Sequence, residues 1–148
     1  MYDNIKRYVD YLNYTYPSGV TDWGLGDWIP IKSHSSKELT SSIYYYIDTD
    51  ILAKAAKLLN KQQDYDKYSV LAEKIKTSIN ARFLNEETGI YCSGSQTELS
   101  APLYWGIVPE SLKPLVARNL AEKVDKDGSM DVGLLGSKTI LNALSMNG

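Results

Sequence analysis

Residues 20–30, Val-Thr-Asp-Trp-Gly-Leu-Gly-Asp-Trp-Ile-Pro, repeat the pair Asp-Trp after five positions, at Asp22-Trp23 and Asp27-Trp28. A carboxylate accepts hydrogen bonds from hydroxyl groups, and an indole offers a flat face to the apolar side of a sugar ring, so this combination suits a carbohydrate cleft. The same residues admit a structural reading, in which one Trp anchors the loop to the helices and one Asp caps a turn through nearby amides. Asp22, Trp23, Asp27 and Trp28 are the candidates to line a pocket. Gly24 and Gly26 give the backbone the freedom to bring both rings to one side. Asp22 and Asp27 are also close enough to face one cavity as an acid and a base. Carboxylates beside Trp in a loop are at least as often sugar-binding or structural, so no catalytic residue is assigned.

The remaining chemistry-bearing residues offer less. His34 lies in a polar stretch, Lys-Ser-His-Ser-Ser, and reads as a solvated residue ahead of a helix. Cys92 has no basic neighbour in sequence and reads as a small, partly buried hydrophobe. Tyr44, Tyr45 and Tyr46 cannot share one face of a helix, because successive residues are about 100° apart; at least one belongs in the core and another at a pocket edge. Gln96 reads as satisfying backbone groups at a helix start, Trp105 as packing between hairpins, and Gly133 and Gly136 as allowing close helix packing. One His and one Cys supply no transition-metal cluster, and neither a metal nor a cofactor is expected.

Helices must position these residues, because apolar side chains recur at helical spacing in nearly every segment. Ile5, Tyr8, Val9 and Leu12 mark the first face, which ends through Pro17. Ser35 followed by Glu38 reads as a capping box opening a second helix, whose stripe is Leu39, Ile43, Tyr46, Ile47, Ala55 and Leu58 and which ends near Asn60. Tyr65, Tyr68, Ala72, Ile75, Ile79 and Phe83 define a third, stopped before Gly89. A short extended stretch at 90–96 precedes a second capping box, Ser95 with Glu98, and a helix that Pro102 should kink or shorten. Ser111 reads as the N-cap of a helix to about Val124, with Pro114 in its tolerant first turn. A last helix spans about Leu135 to Ser145. Six helices in three consecutive pairs predict an all-α fold of antiparallel hairpins in one unit, residues 1–148.

The 148 residues carry a net charge of −2, and 43% are apolar, enough for a packed core. Acidic and basic residues are interspersed, so no basic stripe exists for a phosphate backbone and nucleic acid is not an expected partner. No apolar run reaches the length of a membrane span, and the first ten residues lack the apolar core of a signal peptide. Twelve Tyr and three Trp against one Phe favour rings with a hydrogen-bonding tip, suited to half-wet surfaces such as sugar clefts.

Read together, Gly26-Asp27-Trp28, Gln96-Thr97, Gly106-Ile107-Val108-Pro109 and Gly133-Leu134-Leu135-Gly136 resemble, in order and spacing, the six-helical-hairpin catalytic domain of bacterial α-L-rhamnosidases. The resemblance covers nearly the whole chain. It implies an (α/α)6 toroid, of which these helices form about half, and a parent enzyme that releases terminal α-L-rhamnose from oligosaccharides or glycosides. It also implies inverting hydrolysis, with the general acid in an acidic stretch upstream of Gly-Asp-Trp and the general base, a Glu, downstream of the last helix. Neither stretch occurs in this sequence, so the chain alone is expected to be inactive. An extracytoplasmic parent, periplasmic or extracellular, is a family-level expectation. A half toroid should leave apolar faces uncovered and favour self-association. Two other readings stay open from the sequence: another (α/α)6 glycosidase, trehalase-like or glucoamylase-like, and a non-catalytic helical binding or scaffolding module.

Overall fold

A computed structural model describes residues 1–147, in which helices α1 (Tyr2–Thr15), α2 (Lys37–Leu58), α3 (Gln62–Phe83), α4 (Gln96–Tyr104), α5 (Lys113–Asp127) and α6 (Leu134–Asn147) carry almost all the regular structure. The exceptions are two-residue strands β1 (Leu84–Asn85) and β2 (Ile90–Tyr91), paired antiparallel, and a 3-10 turn at Glu110–Leu112. α2 packs on α1 and α3, α4 packs on α5 and α6, and α2 meets α4 between the two groups.

Burial explains which helices are central. α4 is buried continuously from Gln96 to Leu103, and α2 buries Leu39–Ile43 and Tyr45–Ile47 along its first half. By contrast α3 shows a single inward stripe of Tyr68, Leu71, Ala72, Ile75 and Ile79, the pattern of a helix with one wet side. The core joins these to Val9 and Leu12 of α1, Val116 and Leu120 of α5, and Ile140 and Ala143 of α6. Polar ties reinforce the outer contact of α1 with α3: Tyr2 and Lys6 both donate to Asp64, and the Tyr68 hydroxyl donates to Asp10 at 2.9 Å.

The tight turn from α2 to α3 is set by Asn60, which adopts φ +55°. Its N–H donates to Lys57 O, and the Lys61 N–H reaches back to Ala56 O at 2.9 Å, the paired bonds of a Schellman ending. Asn tolerates this left-handed conformation better than most residues, so the chain reverses at the expected place. The expected stripe of α2 needs one correction. Leu58 is 84% exposed, because Leu52, Ala53 and Ala56 make the inward face of the last turns and Leu58, about 200° around the helix from Ala56, points the other way.

Two helix starts also differ from the sequence expectation. α2 is capped by Ser36, not Ser35: the Ser36 hydroxyl accepts from the Leu39 N–H at 3.2 Å, while Glu38 turns outward toward Arg82 at 3.5 Å. The reason lies elsewhere in the chain, since Glu98 takes the Ser36 N–H at 2.7 Å and Ser35 pairs with Ser95. α5 starts without a side-chain cap at Leu112, because the 3-10 turn absorbs Ser111; Pro114 does occupy the first turn. The second capping box forms as expected, with Ser95 and Glu98 bonded reciprocally, and α4 ends two residues after Pro102.

Candidate functional site

The Asp-Trp loop is held from below by a carboxylate. Gly26, at φ +78°, turns the chain so that Asp27 points inward, where it is 7% exposed. One oxygen accepts from the Thr97 hydroxyl and from the Gly133 N–H at 2.8 Å; the other accepts from the N–H groups of Leu135 at 2.8 Å and Gly136 at 3.1 Å. Leu134 N–H completes the set by donating to Trp28 O at 2.9 Å. The first amides of a helix have no intrahelical acceptor, and their aligned dipoles favour a negative charge, so Asp27 caps α6 from another part of the chain. A side chain at Gly133 would collide with Trp28 O, and one at Gly136 with the Thr97 hydroxyl. The two glycines are what let the loop and α4 approach α6 so closely.

Two more buried carboxylates repeat this device. Asp131 accepts from the N–H groups of Ile31 at 3.0 Å, Lys32 at 2.8 Å and Ser33 at 2.9 Å, fixing the chain just after Trp28. Desolvation opposes its ionisation, and these bonds overcome it, leaving its carboxyl below the ordinary range. Glu98, 1% exposed, accepts from Ser36 N–H, from both the N–H and hydroxyl of Ser93, and from Ser95 N–H. It thereby ties the starts of α2 and α4 together. Gln96 belongs to the same framework: its amide donates to Ser129 O and Asp127, and its carbonyl accepts from Asp131 N–H.

On this framework sits a cavity of about 290 Å³, bounded by the Trp loop, α1, α2 and the start of α6. That volume lies near the lower end of small-molecule sites, roughly 300–1,000 Å³. Trp23, Leu25 and Trp28 form one side, Tyr8 and Leu12 of α1 another, and Leu134 and Leu135 a third. Both indoles are largely exposed, at 66% and 58%, so their faces are open to a ligand. The α2 side carries Thr40, Ser41, Tyr44, Tyr45 and Asp48. Asp48 is half-buried, and burial raises its carboxyl above the ordinary value. The Ser41 and Tyr45 hydroxyls are buried without a hydrogen-bond partner among the described residues.

The structure thus brings Trp23 and Trp28 to one cavity and separates the two acids. Asp22 is exposed and outside the cavity lining, whereas Asp27 is turned away into the α6 cap. They do not form a facing pair. Of the three successive tyrosines, Tyr45 and Tyr46 are buried and Tyr44 stands at the cavity edge. His34 is exposed, and Trp105 stacks edge-on against Tyr104 with Lys138 of α6 over its ring. Cys92 follows β2 at φ +47°; the residue is exposed as a whole, but its thiol is partly enclosed, and burial pushes its pKa up to about 11. Asp48 and Ser41 escape a reading based on loops and apolar stripes. The available signal was the spacing of Ser41, Tyr45 and Asp48, four and then three residues apart, which puts them on one helix face. Among the described residues no three His, Cys, Asp or Glu side chains are grouped to hold a metal, and no helix is long and apolar enough to cross a membrane.

A helical-hairpin framework with an aromatic cavity at the loop end is the arrangement of a six-hairpin glycosidase domain. Residues 1–148 match the family model for the bacterial alpha-L-rhamnosidase 6 hairpin glycosidase domain, and the chain belongs to that family. It is 25% identical over 126 residues to an alpha-L-rhamnosidase of Streptomyces avermitilis, covering 84% of this chain and 12% of the relative. It is 27% identical to an alpha-L-rhamnosidase of Formosa agariphila, covering 93% and 16%. The solved alpha-L-rhamnosidase of Dictyoglumus thermophilum superposes with a TM-score of 0.91 at 36% identity, over 99% of this chain and 17% of that one. The Streptomyces avermitilis enzyme, solved with L-rhamnose, has the same fold, with a TM-score of 0.92 at 22% identity over 99% and 14%. The chain therefore spans less than a fifth of the length of these relatives. Its six helices are about half of the toroid such domains form.

Proposed function

We propose that these residues form one wall of the rhamnoside pocket of an inverting α-L-rhamnosidase, and that the proton-transfer groups lie outside them. The observation that carries this reading is the cavity, where two open indoles stand across from a helix face that carries Tyr44 and the carboxylate of Asp48, in a chain of the rhamnosidase family. A sugar ring presents apolar C–H groups to one side and hydroxyls at its rim, which suits that pairing of surfaces. A relative of the same fold was solved with L-rhamnose, which supports the choice of sugar.

Inversion requires two carboxyl groups about 6.5–9.5 Å apart, one to protonate the leaving oxygen and one to activate water on the opposite face. Among the described residues Asp48 is the single carboxylate in the cavity lining, Asp27 being engaged by α6. One carboxylate cannot perform both roles at once, so this wall binds and orients. The isolated chain also leaves Leu25, Ile29, Leu134 and Leu141 uncovered, and self-association through such side chains is expected, detectable as a mass above the monomer in sedimentation.

The direct test is hydrolysis of p-nitrophenyl α-L-rhamnoside by residues 1–148 and by the longest reading frame that contains them. Activity in the longer form only, with β-L-rhamnose as the first product by NMR, is the expected result. Activity of residues 1–148 alone overturns the division of labour, and α-L-rhamnose as first product overturns the inverting mechanism.

A further inference from the structure

We propose that Asp48 stabilises positive charge on the sugar ring held in the cavity, so that this wall favours a cationic, transition-state-like ring over the neutral sugar. The inference rests on the rhamnoside reading of the cavity and adds a residue and a charge preference to it. Most other polar groups of the lining are out of play. The Ser41 and Tyr45 hydroxyls are closed to water, and the charged neighbour of Tyr45 is Asp10 on α1. The Thr40 hydroxyl donates to Ser36 O and Lys37 O at the start of its own helix, and the Thr21 hydroxyl accepts from the Trp23 N–H at 3.1 Å. Asp48 differs from all four: among the described residues it has neither a hydrogen-bond donor nor a cation, and its oxygens stay accessible where it borders the cavity. Desolvation therefore raises its carboxyl above the ordinary value with nothing to offset the cost. Asp27, Glu98 and Asp131, whose roles are structural, are by contrast given three or four donors each.

The surroundings set what such a carboxylate favours. Tyr8, Trp23, Trp28 and Tyr44 border the same cavity, and no Lys, Arg or His does. The electron-rich faces of these rings attract a cation, more strongly once water is displaced. A carboxylate beside them acts in the same sense, and a site of low dielectric strengthens it. An anion is repelled by both, and a metal ion needs more oxygen ligands than one carboxylate supplies. Glycoside hydrolysis passes through a ring of the favoured sign. As the bond from C1 to the leaving oxygen breaks, its electron pair departs with that oxygen and positive charge spreads over C1 and the ring oxygen, until water bonds to C1 from the opposite face. Asp48 forms no bond and moves no proton in this step. It accepts from a ring hydroxyl, and its charge offsets the positive charge that develops beside that hydroxyl.

The test compares two ligands of nearly the same shape: the L-rhamno-configured lactam, which is neutral, and the corresponding cyclic amidine, which is cationic at neutral pH. Both are titrated into the 148-residue chain and its variants, read by calorimetry and indole fluorescence, with thermal melts alongside. The wild type should bind the amidine about tenfold more tightly than the lactam, the equivalent of 1.4 kcal/mol. Asp48→Asn keeps an acceptor for a hydroxyl and removes the charge, so it should abolish that preference by weakening the amidine alone. Asp48→Glu should restore part of it. Trp28→Ala serves as the control for the cavity itself and should weaken both ligands. Because no partner is lost, Asp48→Asn should melt at or above the wild-type temperature. Equal affinities in the wild type, or a preference that survives Asp48→Asn, overturn the charge assignment and leave the pocket reading standing, because both ligands still bind. No saturable binding of either ligand by the wild-type chain counts against the pocket reading and the inference together. An Asp48→Asn chain that melts well below wild type would show the carboxylate to be structural, and would also overturn the inference.

Discussion

Two sets of polar side chains, a few residues apart in space, are treated in opposite ways. Beneath the Trp loop, Asp27, Asp131 and Glu98 are buried, and every one of them is saturated with backbone and hydroxyl donors. Along α2, Ser41, Tyr45 and Asp48 border the cavity, and the first two are bonded to nothing among the described residues. Saturation fixes geometry: a carboxylate that accepts from amides in separate segments allows only one arrangement of those segments. Unsatisfied buried groups instead cost stability, about 1–3 kcal/mol each. The difference separates residues that hold Trp23 and Trp28 in place from residues that line the cavity beside them.

The sharpest way to break this comparison is to remove the saturated group. Asp27→Ala leaves the Gly133, Leu135 and Gly136 N–H groups and the Thr97 hydroxyl without their acceptor. A loss of roughly 3–5 kcal/mol in urea denaturation is expected, since each unpaired buried donor costs about 1–3 kcal/mol and relaxation recovers part of it. The indole fluorescence should shift as well, because Trp28 loses its fixed backbone. A loss under 1 kcal/mol would show that Asp27 is not the staple of the loop.

Glu98→Gln is a milder change of the same kind. The amide keeps one acceptor oxygen but offers N–H groups to Ser93 and Ser95 N–H donors that already need acceptors. A destabilisation of about 2–3 kcal/mol is expected, measurable in the same denaturation series.

The smallest effects are those of pH, and here the two sets should move in opposite directions. Burial raises the Asp48 carboxyl above the ordinary 3.8. Between that value and its folded pKa the folded state holds more protons than the unfolded state, so stability falls as pH rises through the window. Asp48→Asn should therefore raise the melting temperature at pH 7, with the gain fading below pH 3.8. Asp131 is the reverse case, with a carboxyl held below the ordinary value despite its desolvation. Its contribution is complete above the unfolded value and is lost as pH falls through the folded one. The Asp131→Asn deficit should accordingly shrink in acid. Parallel pH–melting curves of the two variants check both signs.

How much of this was legible beforehand depends on how far each residue reaches. Helical periodicity is local, so six helices could be placed to within a few residues, and Asn60 marked its turn correctly. The Ser95–Glu98 box was legible for the same reason, both partners lying in one turn. The Ser35–Glu38 box was misread because Glu98, about 60 residues away, claims the Ser36 amide. Asp27 shows the limit most clearly. Its partners are 70 to 109 residues distant, and nothing local distinguishes an acid that caps a remote helix from one that binds a ligand. Trp23 and Trp28 could be singled out because large apolar rings in a loop are conspicuous. Asp48 was hidden within an apolar helix, where its meaning depends on a cavity built by three other segments.

The central claim is that the cavity between Trp28 and α2 receives the sugar. The most direct measurement is a crystal structure, with L-rhamnose bound, of the longest reading frame that contains residues 1–148. The account predicts a ring lying against Trp28, with a sugar hydroxyl within about 3.2 Å of Asp48. A sugar seated elsewhere, or an Asp48 bonded to protein groups while the cavity stays free of sugar, would contradict it.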